Sequence, residues 1–183
     1  MPELTVKEIK KDIYLMLHKS LEMLELTSEA FMKNTLSKLN EAMDISAEIH
    51  SKEDALTASL AKLSSTHDDA RTILSVPVSV EKIANAIEQI VGHTRQKIKE
   101  NMLFSDKAVQ DFKLLFTKTG AVLKKTADAV ATGSHAAVEA VTKDSDTIVH
   151  MAMDFATAHE NRLTSGEASP KSSSICLSIL NIF

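Results

Sequence analysis

The chain has 183 residues, a mass of 20.0 kDa and a formal net charge of −4, the size of one ordinary domain or two very small ones. Gly and Pro number 4 and 3, roughly 4% of the chain against about 12% in an average protein, and so few breakers argue against a sandwich, a barrel or a Rossmann fold. Charged residues at 25% and hydrophobic ones at 44% exclude a disordered chain, a pI near 6.0 does not favour nucleic acid, and a single Cys excludes a disulfide framework or a Cys-based zinc site.

The start, Met1 to Asp12, is charged from Glu3 and has no apolar stretch, so it does not read as a signal peptide. No run approaches the ~18 apolar residues of a membrane span, and a cytoplasmic location is expected. From Val6 to about Asn34, Ile9, Ile13, Met16, Leu17, Met23, Leu24, Ala30 and Phe31 recur at helical steps. A second helix is expected over about Thr35 to Leu63, with Leu39, Ala42, Ile45, Ile49, Leu56, Leu60 and Leu63 on its stripe. A third is expected over about Val80 to Met102. Pro77 should stay outside it, and Ser79 should cap it. A fourth should start after the N-cap Ser105 and run to about Ala131. Gly133 then breaks the chain, and Ser134 should cap a fifth helix to about Leu163. Thr164 to Pro170 is the clearest loop, and a sixth apolar segment runs from about Ser173 to Phe183.

The two halves resemble each other. With a shift of about 99 positions, Ala108, Phe112, Leu115 and Phe116 fall on Ile9, Ile13, Met16 and Leu17. With a shift of about 92, Val141, Ile148 and Phe155 fall on Ile49, Leu56 and Leu63. Three helices with one apolar stripe each can close a small bundle. The expected fold is all-α, two three-helix bundles side by side: residues 1–102, then 103–183.

Ile87-Glu88-Gln89-Ile90-Val91-Gly92-His93 resembles the phrase Leu-Glu-Arg-Ile-Gly-Asp-His in the third helix of the PhoU family, the phosphate-uptake regulators. Glu160-Asn161-Arg162-Leu163-Thr164-Ser165-Gly166, with Ser169-Pro170 and then Leu177 to Asn181, resembles the linker and the start of that family's last helix. The long opening helix Ile9–Phe31 and the helix Asp44–Leu63 fit the same pattern, most closely that of the PhoU-like domain attached to sodium/phosphate cotransporters. The resemblance implies a six-helix all-α fold with pseudo-twofold halves, its last helix incomplete here, and a non-enzymatic regulator of phosphate transport or signalling. Such a regulator acts by contact with a phosphate transporter or sensor protein, at the periphery of a membrane protein. It also implies that some relatives hold iron or zinc through acidic motifs. Here the expected Asp is Gly92, which cannot ligate, and the mirrored motif would follow Phe183, so the chain reads as a truncated member. No resident cofactor is expected.

Glu88 with His93 is the best metal candidate, although five residues apart is a poor spacing for one face. Asp44 and Glu48 stand four apart on one helix face, where they could share a metal or simply be solvated. Glu53, Asp54, Asp68, Asp69, Asp144 and Asp146 are expected at the surface. The scattered His18, His50, His67, His135, His150 and His159 are expected at the surface or at helix ends, whereas Cys176 lies on an apolar face. No nucleophile-and-base pair, phosphate loop or zinc spacing occurs, so an enzyme is not expected. The basic stretch Arg95 to Lys99 reads as an exposed face that could also meet a membrane or an acidic partner. The alternatives to the phosphate reading are an iron- or zinc-binding helical bundle and a helical adapter unrelated to phosphate.

Seven of the nine residues from Ile175 to Phe183 are apolar. At roughly 1.5–3 kcal/mol per buried large aliphatic side chain, this segment should dock on the fourth and fifth helices or enter a second subunit. A homo-oligomer through the C-terminal half is therefore expected.

Overall fold

A computed structural model describes residues 5–183, which are helices and their connections with no strand among them. The charged start lies outside the described residues as far as Leu4. The elements are α1 (Val6–Lys33), α2 (Leu36–Leu63), the short α3 (Asp68–Thr72), α4 (Val76–Lys99), α5 (Asp106–Thr132), α6 (His135–Thr164) and α7 (Pro170–Leu180). None of these helices is long and apolar enough to cross a membrane.

The helix ends follow local hydrogen-bond chemistry. At α1 the Thr5 hydroxyl accepts from the Glu8 N–H at 3.3 Å, and the Glu8 carboxylate accepts from the Thr5 N–H at 2.8 Å. That reciprocal pair satisfies two donors that have no partner within the helix. Asn34, at φ 54°, ends the helix in the left-handed region. Ser105 and Ser134 cap α5 and α6 as their sequences predict, accepting from Ala108 and Ala137 at 3.3 Å. Gly133, at φ 65°, makes the turn between them.

Four expectations about the helix ends need correction. Pro77 lies inside the first turn of α4, where its missing N–H would have had no helical acceptor. Ser75 takes the N-cap position and Ser79 donates back to the Ser75 carbonyl at 3.0 Å, while the helix stops at Lys99 rather than Met102. The single turn α3 follows His67, and Arg71 reaches back to the Ser64 carbonyl at 3.1 Å. The last helix begins at Pro170, with Ser169 accepting from the Ser172 N–H at 3.2 Å.

α1 lies at the centre: it packs on α2, α4 and α5, and ten of its residues are buried. α2 packs on α4, α5 on α6, and α7 on both α6 and α4. The tail therefore docks between α6 and α4, not on α5 and α6 as the pattern suggests, although Phe183 meets Phe116 of α5 edge-on at 5.4 Å. α1 and α5 run antiparallel: Phe31, near the end of α1, lies 4.9 Å from Phe112, near the start of α5, while Leu21 lies beside Gly120. Phe31, Phe104, Phe112 and Phe116 form one aromatic cluster at this junction. Tilted and edge-on ring pairs of this kind add about 0.5–1.5 kcal/mol each beyond the area they bury.

Candidate functional site

On α2, Leu39, Ala42, Ser46, Ile49, Glu53, Leu56 and Leu60 are all buried. Their steps alternate three and four, so they form one seam. Ser46 and Glu53 thus sit on the core line despite their polarity, and His50 flanks it. Glu53 is only 7% exposed, against the surface position expected of it, and the Thr57 hydroxyl donates to it at 2.6 Å. Opposite this seam, α4 presents Glu81 and Glu88, seven residues apart and hence on one face.

The His50 ring joins these elements. Its Nδ1 lies 2.9 Å from Glu81 Oε1 and its Nε2 3.1 Å from Glu88 Oε1, while the Ser46 hydroxyl donates to the same Glu88 oxygen. A neutral imidazole has one N–H and can serve only one carboxylate as donor; serving both requires the cation. The Glu88 contact accordingly raises the His50 pKa above its ordinary 6.5, with partial burial opposing and Glu81 adding to the rise. With the ring protonated, His50 and the two carboxylates make a half-buried negative–positive–negative clasp between α2 and α4.

The four metal candidates are not brought together. Glu88 is held by His50 and Ser46, Glu48 pairs with Lys19 of α1, Asp44 is exposed, and His93 is half-buried one turn and more beyond Glu88. The ring stands between the two carboxylates rather than beside them. Among the described residues no three His, Cys, Asp or Glu side chains form a group that could hold a metal ion. Gly92 is exposed, with open space where a Cβ would stand.

A second polar cluster lies where α5, α6 and α7 meet. His159, expected at the surface or a helix end, lies near the end of α6 and is 4% exposed. Its Nε2 lies 2.9 Å from the Ser173 hydroxyl and its Nδ1 3.4 Å from Cys176 Sγ. Burial pushes the His159 pKa down, with Arg162 adding to the effect, and pushes the Cys176 thiol up to about 12. A Cys–His contact of this kind holds a protonated thiol against a neutral ring, the reverse of what a thiolate nucleophile needs. Asp111, also buried, takes Lys107 Nζ at 2.5 Å and faces Arg162 at 3.7 Å.

Lys97 corrects the reading of Arg95 to Lys99 as an exposed basic face. It is 5% exposed and donates to the Phe31 carbonyl at 3.2 Å and to Asn34 Oδ1 at 2.6 Å, with its ammonium 4.8 Å from the centre of the Phe31 ring. A cation there satisfies the C-terminal end of α1, and burial lowers its pKa.

His50 and Glu81 are absent from the sequence-predicted site because neither belongs to a ligand motif. The signal for His159 is its place on the α6 line Ile148, Ala152, Phe155, His159, which continues the apolar spacing. The chain matches no family model, and no curated protein or solved structure matches it.

Proposed function

We propose that the chain is a non-enzymatic regulatory domain of the PhoU-like kind, restraining phosphate transport or phosphate signalling by contact with a transporter or sensor protein at the cytoplasmic face. The observation that carries this reading is the doubled helix order. α1, α2 and α4 pack on one another; α5, α6 and α7 follow in the same order of long, long and third helix. The two sets meet through their first helices, α1 and α5, and their third, α4 and α7. The second set is looser than the first, since α5 packs on α6 and α6 on α7 but α5 and α7 have no packing comparable to that of α1 on α4; burial supports the internal match, for Ile9, Ile13, Met16 and Leu17 are buried, and so are Ala108, Phe112, Leu115 and Phe116, 99 positions on.

The phosphate role itself rests on the resemblance of Ile87–His93 and Glu160–Gly166. Contact rather than catalysis suits the exposed apolar side chains of α6, Val138, Val149 and Met153. Deleting the gene from its host and following phosphate uptake as external phosphate rises tests the reading. The expected result is uptake that stays high in phosphate-rich medium. Unchanged restraint of both uptake and the phosphate-starvation response would overturn it.

A further inference from the structure

α7 has 11 residues, fewer than the ~12–15 at which an isolated helix begins to hold itself in water, so its order depends on the helices it packs against, α6 and α4. Ile175, Cys176, Ile179 and Leu180 give it a buried apolar face. His159 of α6 supplies the polar part of the contact, its ring lying between Ser173 and Cys176 of α7.

The direction of the hydrogen bonds fixes the state of that ring. The Ser173 hydroxyl donates its one hydrogen to the Ser169 carbonyl at 2.8 Å, so it accepts from His159 Nε2, 2.9 Å away. Nε2 therefore carries the hydrogen of the neutral ring, Nδ1 keeps its lone pair, and the Cys176 thiol at 3.4 Å donates to it. Thiol, ring, hydroxyl and carbonyl form one directed chain. A second proton on the ring lands on Nδ1, where it meets the thiol's own hydrogen and a sulfur that accepts only weakly. It also makes a cation of a side chain in a residue only 4% exposed.

The charges around the ring do not offset that cost. Burial pushes the His159 pKa down and Arg162 adds to it, while Asp111 of α5 and Glu160 oppose. The Asp111 carboxylate is already engaged, with Lys107 Nζ at 2.5 Å and Arg162 at 3.7 Å, and Glu160 is exposed. From α7, Lys171 pairs with Glu100 of α4 at 3.2 Å. Gln96 and Lys171 hold the Glu100 carboxyl below the usual carboxylate range, so this pair keeps its charge between pH 7 and pH 5. We propose that α7 is an acid-released helix: protonation of His159 breaks the chain to Cys176 and frees α7 from α6 and α4, while α1, α2 and α4 stay packed together. Its release bares the apolar surface of α6 and α4 that Ile175, Ile179 and Leu180 cover. The inference stands apart from the phosphate reading, since it uses only the contacts of α7.

Cys176, the single cysteine of the chain and 1% exposed, reports the release. Its reaction with dithiodipyridine in the full chain, at reagent low enough that α7 recloses before it reacts, reads the open fraction. Each rate is divided by that of the urea-unfolded chain at the same pH, which removes the thiol's own pH dependence. From pH 7 to pH 5 the ratio should rise about tenfold; a single proton, with an ordinary pKa of about 6.5 in the open state, limits the rise to about 25-fold. His159→Gln takes up no proton and should give a flat profile, whatever its ratio at pH 7. Hydrogen exchange of the wild-type chain needs no variant: corrected for intrinsic rates, amides of residues 171–180 should lose protection at pH 5 while those of residues 39–60 keep it. Equal ratios at pH 5 and pH 7 would overturn the inference. So would a His159→Gln profile as steep as that of wild type, or two segments whose protection responds alike.

Discussion

α2 and α6 are almost equal in length, 28 and 30 residues, and they meet different fates. Eight residues of α2 are buried against three of α6. The cause lies in their neighbours. α4, with 24 residues, runs along most of α2, whereas α7 has 11, about 16 Å of helix against the roughly 45 Å of α6 at 1.5 Å per residue. Val138, Val149 and Met153 therefore stay 52%, 48% and 61% exposed. A helix's burial is decided by the length of what packs on it as much as by its own stripe.

The largest expected effect of that contrast is on stability. Leu56→Ala, at a fully buried site of α2, should cost about 2–5 kcal/mol in a urea titration. Met153→Ala on α6 should change stability by less than about 0.5 kcal/mol. A comparable loss at Met153 would mean that α6 is covered in solution. Hydrogen exchange sharpens the same comparison: amides of residues 135–147 should exchange well before those of residues 39–60, because local opening there exposes little apolar surface. Equal protection of the two segments would break it.

The α2–α4 contact and the α6–α7 contact should also answer pH with opposite sign. His50 has a raised folded pKa, so its stabilisation is complete below the unfolded value near 6.5 and is lost as pH rises through the higher folded value. The stability gap between wild type and His50→Gln should be up to about 1 kcal/mol at pH 6, as for a partly exposed ion pair, and should narrow by pH 8. His159 has a depressed folded pKa, so the folded state loses stability as pH falls below about 6.5 toward that folded value. Thermal melts of His159→Asn should therefore fall less than those of wild type between pH 7 and pH 5. A gap at His50 that widens with pH would refute the clasp.

The smallest effect concerns two helical glycines. Gly92→Ala places a methyl in open space and should stabilise α4 by about 0.5 kcal/mol through helix propensity and the unfolded chain. That raises Tm by roughly 1–2 °C in a chain of this size. Gly120→Ala meets Leu21 at 3.3 Å and should gain nothing. A gain at Gly120 equal to that at Gly92 would show the seam to be loose.

Ser105, Ser134 and the stripe of α1 were legible because each acts within one helix: a cap needs only the next turn, and a stripe only its own period. Pro77 was misplaced because the first turn of a helix tolerates what its interior rejects. Residue type places Glu53 and Lys97 at the surface and His159 at the surface or a helix end, yet their spacing puts them on or beside the buried line. Position within the seam outweighed polarity once a partner was at hand: Thr57 for Glu53, the end of α1 for Lys97, Ser173 and Cys176 for His159. The His50 clasp was out of reach, since it joins residues 31 and 38 apart in sequence and depends on how α2 meets α4. The metal candidates show the converse, because residues sharing a motif are not thereby brought to one point.

The central place of α1 bears on the order of synthesis. α2 and α4 leave the ribosome soon after α1 and can pack on it at once, but the side of α1 that carries Phe31 waits for α5, whose 27 residues take about 1–5 s to make at ordinary elongation rates. During that interval the nascent chain offers a wet apolar helix face to chaperones and to neighbouring polysomal chains. A ribosome-arrested chain ending before α5 should accordingly be captured by hydrophobic holdases, and one that includes the whole of α5 should escape them; equal capture of both would show that α5 does not shield that face.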